Sequence, residues 1–313
     1  MFNVSNLVSN SDSITLNFDK GGSQGGRNWQ CKDGNGHLSN CNGDDKKLTG
    51  GDFYVEGVFE ELDAPGEFFY DPHKSLLFFY PKESCNQRLH PIVNSTLRSK
   101  QTNKQRHLHR CIPDLIASNL QTLIKIQGTM ENPVRNVQVN GIGFRDGAKT
   151  YMEQWSAPSG GDWALHRGGA VHLEGTEDVI ISKSHFHRLD GNAIMLGGYC
   201  SGTHVTNSEF SWIGNGAIAT WGDTEGYDAT KPTQPRHSVI EGNIMSNLGL
   251  YQKQSSGWGQ NKACLNTIRN NVMFNLPRAA INFNDGLGGG NVVEGNVIFN
   301  ACRESGDHGP INR

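Results

Sequence analysis

The sequence predicts an all-β protein: a right-handed parallel β-helix solenoid, residues 119–313, behind a β-rich N-terminal subdomain, residues 1–118. Three observations carry this expectation. The second half repeats a short apolar pattern at intervals in the twenties. Asn and Gly recur at the corners of that pattern, where backbone of positive φ is needed. No stretch shows the 3.6-residue apolar period of an amphipathic helix.

The repeat is seen by aligning "DVIISKSHFHRLDGNAIML", "THVTNSEFSWIGNGAIATW", "HSVIEGNIMSNLG", "NTIRNNVMFNLPRAAINF" and "NVVEGNVIFNAC". Anchored on Phe186, Phe210, Ile244, Val272 and Val297, the copies stand 24, 34, 28 and 25 residues apart. An earlier copy, "NVQVNGIGF", ends at Phe144. Each copy holds about three short strands, so one copy makes one coil, stacked about 4.8 Å above the last. The five anchors are expected to point inward as one ladder. Asn243, Asn271 and Asn296 occupy equivalent corners, where their side chains can stack and bond turn backbone. The longer steps hold insertions, "DGAKTYMEQWSAPSGGDWALHRGG" and "GDTEGYDATKPTQPR". Insertions in solenoids usually emerge from one face, often the binding face.

The first 118 residues read differently. "EFFYD" and "LLFFYP" flank Asp71-Pro72-His73-Lys74 and predict a β-hairpin. The basic run "TLRSKQTNKQRHLHRC" is expected to be a solvated loop.

Composition narrows the function. Hydrophobic residues make up 35% and charged residues 19%, with 39 Gly, 14 Phe and 6 Trp, so the chain has apolar material for a core. A net charge of −3 argues against a nucleic-acid partner bound by phosphate neutralisation. No apolar run approaches the roughly 18 residues of a membrane span, so no membrane partner is expected. Seven cysteines, Cys31, Cys41, Cys85, Cys111, Cys200, Cys264 and Cys302, fit no zinc spacing. Cys31 and Cys41 flank a Gly/Asn-rich loop and could pair. The sequons at Asn3 and Asn94 suit a secreted glycoprotein. No signal peptide is visible, so the expectation is a secreted protein whose leader lies outside this sequence.

"FEELDAPGEFFYD", with "GGSQGGRN" before it and "ESGDHGP" at residues 304–310, resembles the β-helix carbohydrate-active proteins near glycoside hydrolase family 141. The likeness covers residues from about 14 to 313. It implies the β-helix and a glycosidase acting on a polysaccharide or oligosaccharide; the family includes fucosidases and xylanases. Members usually continue past "GDHGP", so a trimmed chain is expected here. Its open last coil would favour self-association.

Glycosidic cleavage uses two carboxyls, about 5–5.5 Å apart for retention and about 6.5–9.5 Å for inversion. Coils about 4.8 Å apart offer such separations. Asp285 in "NFNDGLGGG" and Asp307 in "ESGDHGP" each follow a strand inside a glycine-rich turn, and they form the leading catalytic pair. Glu304 and Asp223 are alternative acids, and His308 could bond a carboxylate or a sugar hydroxyl. Ring-stacking platforms are sought among Trp163, Trp212, Trp221, Tyr227 and Trp258. His185, His187 and Asp190 in "SHFHRLDGN" are polar and outward. His187 and Asp190 are candidate substrate contacts; a metal there is the lesser reading. Arg278 and Arg303 sit at equivalent places on adjacent coils and could grip a uronate carboxylate. That pair supports the alternative, a polysaccharide lyase, which would draw on Ca²⁺ held by Asp223, Glu225 and Asp228. A third reading is a non-catalytic glycan-binding or structural solenoid. The leading hydrolase reading needs no cofactor.

Overall fold

In a computed structural model the structure describes residues 2–21, 31–32, 38–39, 55–81, 115–153, 165–284, 287–304 and 308–313. The fold is all-β, and the described residues include no α-helix. The chain divides into two compact units, Met1–Arg27 with Ala117–Arg313, and Asn28–Ile116.

Three parallel sheets build the first unit. Sheet A runs through β7 (Ile124–Gln127), β11 (Val171–Glu177), β14 (Ile194–Ser201), β17 (Ile218–Trp221), β20 (Trp258–Gly259), β23 (Ile281–Asn282) and β26 (Ile311–Asn312), with β8 (Val134–Arg135) beside β11. Sheet B runs through β9 (Gln138–Asn140), β12 (Ile180–Ser182), β15 (His204–Thr206), β18 (Val239–Glu241), β21 (Thr267–Arg269) and β24 (Val292–Glu294). Sheet C runs through β10 (Gly143–Arg145), β13 (His185–Leu189), β16 (Glu209–Ile213), β19 (Ile244–Leu248), β22 (Val272–Phe274) and β25 (Val297–Phe299). The chain visits A, B and C in turn and then returns to A one rung further on. This stacking is consistent with a β-helix solenoid.

The core lies between the sheets, because alternate side chains of each strand face inward. Sheet A supplies Val171, Ile194, Ile218, Trp258 and Ile281 in one register row, and sheet B supplies Ile181, Val205, Ile240 and Ile268; all are fully buried. Sheet C supplies Phe144, Phe186 and Phe210, whose rings stack with centroids 4.7 Å apart. From there the row passes to Met245, Met273 and Ile298.

That row corrects the expected ladder. Phe186 and Phe210 point inward as anticipated, but Ile244 and Val297 are 46% and 55% exposed, and Val272 pairs with both on the outer face. The cause is a one-residue slip of phase. In "NIMS", "NVMF" and "NVIF" two or three adjacent residues are apolar, so the sequence leaves open which of them face the core.

The corner asparagines behave as expected. Asn271 Oδ1 accepts from both the backbone N and Nδ2 of Asn243, each at 3.0 Å. Asn296 Oδ1 does the same for Asn271, at 3.0 and 2.9 Å. Each amide also donates back across the corner, Asn243 to Val205 O and Asn271 to Ile240 O, both at 2.9 Å. Ser208 and Ser184 continue the column, Ser208 N donating to Asn243 Oδ1 at 2.9 Å and Ser184 N to Ser208 Oγ at 3.1 Å. One residue earlier stands a left-handed column of Gly141, Lys183, Asn207, Gly242, Asn270 and Gly295. A Cβ at Gly242 would come 2.8 Å from Asn207 Oδ1, so Gly there serves both φ and space.

The N-terminal residues form an antiparallel hairpin, β1 (Phe2–Ser9) with β2 (Ile14–Gly21). In the second unit β3 (Cys31–Lys32) pairs with β4 (Leu38–Ser39), and β5 (Phe68–Asp71) with β6 (Leu76–Phe79), all antiparallel. The β5–β6 turn is the one the sequence announces. Asp71 Oδ1 accepts from the backbone N of His73 and Lys74 at 3.0 and 3.1 Å. The bond from Lys74 holds the Asp71 carboxyl below its usual range. Cys41, Cys85, Cys111, Asn94 and the basic run lie outside the described residues. Among the described residues Cys200, Cys264 and Cys302 are free thiols, and burial pushes Cys200 up to about 12.

Candidate functional site

The outer face of sheet A is the place where the stack of parallel strands departs from simple repetition. Outward positions of a two-sided sheet are normally wet. Here Met195, Ala219 and Trp221 are buried on the outward side and pack with Leu165, which belongs to the long insertion before β11. Arg167, from the same insertion, lies over the Trp221 ring at 5.0 Å, a cation–π contact. Two histidines lie beside them. Burial lowers the pKa of His166, and burial also lowers that of His172, so both favour the neutral form.

Next to this covered patch is a recess of about 20 Å³, room for roughly one water. Leu165, Ile218 and Ala219 give it an apolar side. Its polar side is made of amides and hydroxyls: Asn192, Asn261, Asn282, Asn284, Gln254 and the Ser255–Ser256 pair. Among the described residues that line it, none is ionisable. Asn192 is fully engaged: Nδ2 donates to His166 O and Gly168 O at 3.1 and 2.9 Å, and Oδ1 accepts from Gly216 N at 3.1 Å. Asn282 Oδ1 accepts from Asn284 N at 3.2 Å and from Asn312 Nδ2 at 3.1 Å. Asn261 differs. Its backbone is clamped, with N donating to Thr220 Oγ1 at 3.0 Å and O accepting from the same hydroxyl at 3.2 Å. Yet its Oδ1 and Nδ2 are both buried without a partner, as is Ser256 Oγ.

The leading carboxyl pair, Asp285 and Asp307, lies outside the described residues. Asp285 directly follows Asn284 of the recess. The "ESGDHGP" segment leads into β26, the next rung of sheet A, where Pro310 O accepts from Ala280 N at 2.8 Å. His308 is half-buried. Glu304 is exposed and pairs with Lys253 at 3.1 Å. Asp223 is exposed, its carbonyl accepting from Thr233 Oγ1 at 3.1 Å.

The substrate-binding candidates separate. Trp258 is wholly buried, with Nε1 donating to Gln260 Oε1 at 3.2 Å. It is a core residue and offers no ring face to a sugar, a correction that follows from its inward register with Ile218 and Ile281. Trp221 is 7% exposed beneath Arg167. Trp163 lies outside the described residues, which leaves Trp212 and Tyr227 as the solvent-facing aromatics of the expected set, at 50% and 74% exposure. Trp212 has φ +56 and stands between Arg188 and Asn247 in a left-handed column otherwise rich in asparagine. Arg278 is buried and donates to Gln254 Oε1 at 3.2 Å, whereas Arg303 is exposed; they present no twin guanidinium row to solvent.

His187 lies on sheet C, with Nδ1 3.1 Å from Ser211 Oγ, while His185 Nε2 is 3.5 Å from the same hydroxyl. Burial and the neighbouring His185 lower the His187 pKa. Asp190, at the corner leading back to sheet A, is raised by burial against the pull of Lys149. Among the described residues no cluster of three or more His, Cys, Asp or Glu is placed to hold a metal ion. The recess residues escape sequence reasoning, because serines and amides inside a repeat look like turn chemistry. Only the departure of "QSSGWGQN" from the Asn/Gly corner pattern marks them. Comparison with family models, curated proteins and solved structures gave no match.

Proposed function

We propose that this protein is a right-handed parallel β-helix that acts on glycans along the face of sheet A, as a secreted glycoside hydrolase. The hand rests on a general rule: parallel crossovers of this kind are right-handed in nearly all cases. The observation that carries the glycan reading is the recess: a fixed set of amides and hydroxyls on a rigid sheet, with an apolar wall beside it. Sugars present the matching surface, hydroxyl edges and apolar ring faces. The resemblance to glycoside hydrolase family 141 supports the same reading. Asp285 and Asp307 are proposed as the carboxyl pair, since both adjoin sheet A in the chain, Asp285 after β23 and Asp307 before β26.

Hydrolysis is tested by incubating the protein with a polysaccharide panel and following new reducing ends. Asp285→Asn and Asp307→Asn should each cut the rate about a hundred-fold or more and leave the melting temperature unchanged. Products absorbing in the near ultraviolet would instead indicate a lyase. A non-catalytic glycan-binding role is the second reading, favoured by the amides and hydroxyls that make up the polar lining of the recess among the described residues. Binding without turnover, unaffected by either Asp variant, would establish it.

A further inference from the structure

Two turns that lead from sheet C back toward sheet A meet at an aromatic contact. Tyr151, in the insertion after β10, and Tyr251, in the turn after β19, stand with ring centroids 5.1 Å apart at 51°. Tyr251 is 38% exposed, and its N donates to Gly214 O at 3.0 Å. A Cβ at Gly214 would lie 2.8 Å from Tyr251 Cδ2 and 2.5 Å from Asp190 O, so glycine there lets the ring close on the turn that carries Asp190. Lys149 joins the two sides: its Nζ lies over the Tyr151 ring at 5.7 Å, and its charge acts on the Asp190 carboxyl. That carboxyl is half-buried, and among the described residues no hydrogen bond stabilises it. A carboxylate taken out of water without donors costs free energy, so donors brought from outside are bound there with a gain. The described charges at this corner are opposed: Lys149 acts against Asp190, and Arg188 and Arg145 pair with Asp146 at 2.9 and 3.3 Å. A ligand that brings no charge of its own leaves both sets intact. Sugars offer hydroxyls to a carboxylate and an apolar ring face to an aromatic side chain.

Resting on the glycan reading above, we infer that Asp190, Lys149 and Tyr251 form a binding subsite for an uncharged sugar at the edge of the sheet A face. Asp190 accepts from the sugar's hydroxyls, Lys149 donates to another, and the sugar ring lies against Tyr251. The corner leads directly to the face proposed above, because Asn192, shortly after Asp190, and Gln254, shortly after Tyr251, both line the recess. The subsite holds the glycan, while bond cleavage belongs to other groups. A half-buried carboxylate without donors lowers stability at neutral pH, and such a cost is often found where a residue serves binding or catalysis.

The test is titration calorimetry of the full chain at pH 7 with neutral hexose and pentose oligosaccharides, against oligogalacturonides of equal length. Wild type should bind a neutral oligosaccharide. Asp190→Asn should weaken that binding about ten-fold or more without lowering the melting temperature, since the charge it removes is the one that burial disfavours. Tyr251→Ala should weaken it about five-fold or more through loss of the ring face. Preference for oligogalacturonides would overturn the subsite while leaving the glycan reading intact. So would neutral binding that either variant leaves unaltered. A lowered melting temperature in Asp190→Asn would assign the carboxyl to holding the corner together and overturn the inference. Absence of all glycan binding would overturn the proposed function, and the subsite with it.

Discussion

Asn271 makes the clearest case for a single residue acting on a whole corner. It is fully buried and accepts two bonds from Asn243 while donating one to Ile240 O. Replacing it with Ala leaves a buried N–H, a buried amide and a carbonyl without partners, at about 1–3 kcal/mol for each group left unmet. Asn271→Ala should therefore cost on the order of 3 kcal/mol in urea unfolding. Asn300→Ala should cost less than about 1 kcal/mol, because Asn300 is exposed and donates only to Asn275 Oδ1. Trp258 gives a second test at this scale. Trp258→Ala should lose about 3–5 kcal/mol as a core truncation, whereas an exposed sugar platform would lose binding and little stability. These residues also show what the sequence makes visible. The asparagine column is legible because Asn at a repeated corner has few other uses. The burial of Trp258 is hidden, since tryptophan suits both a core and a sugar platform.

Strands carry the next level, and β11 shows how a local irregularity is fixed. Its pairing with β14 shifts between Glu174 and Thr176, where the single residue Gly175 stands opposite two residues of β14, Gly198 and Tyr199, so that the extra residue of the bulge lies in β14. Gly175 has φ +59, and a Cβ there would sit 2.2 Å from the Gly128 carbonyl carbon. Backbone cannot step aside as a side chain can, so Gly175→Ala should cost more than about 2 kcal/mol and could prevent folding; circular dichroism melts would show it. β11 also carries His172, lowered by burial like His166 of the insertion beside sheet A. For such a group the neutral form is favoured on folding. Its contribution is complete above the unfolded value near 6.5 and fades as pH falls through the lower folded value. Stability should then drop on acidification below about pH 6.5, and His172→Gln should flatten that slope. Asp190 has the opposite sign. Burial raises it, so its contribution is present below the unfolded carboxylate value and lost as pH rises through the folded one. Asp190→Asn should therefore raise the melting temperature at pH 7 and leave it unchanged near pH 3. On sheet C, apolar doublets such as Val272-Met273 announce a strand but not which side turns inward, so the strands were legible and their phase was not.

At the scale of the whole molecule, each rung of the three parallel sheets pairs with the rungs on either side of it. Stability in such an array is a sum over coils and their interfaces, and opening starts where neighbours are fewest. Hydrogen exchange should be slowest at Val205 and Ile240, in the middle of sheet B, and faster at Val139 and Val293 at its two edges. Equal protection along the sheet would mean all-or-none opening of the stack. The period of the array was readable because every coil repeats the same corner chemistry. The covered face of sheet A was not, because it is made by an insertion, and an insertion interrupts the pattern through which the coils were found. Hence the sequence gives strong grounds for a stack of coils and weak grounds for where a ligand rests on it.

The one-directional asparagine column also governs how such a chain can change length. Each Asn offers its oxygen to the coil before it and its N–H groups to the oxygen of the coil after it. Asn243 and Asn271 are 28 residues apart and play identical parts in this exchange. Excising residues 244–271 would bring Asn243 against Asn296 with the same donors and acceptors facing. Removing half as many would set a strand residue against that oxygen. Between corners the chain takes up insertions, as the step from Ser208 to Asn243 shows, but the corner column itself is kept only when whole coils are gained or lost, so tandem duplication of one coil is a change this architecture absorbs readily.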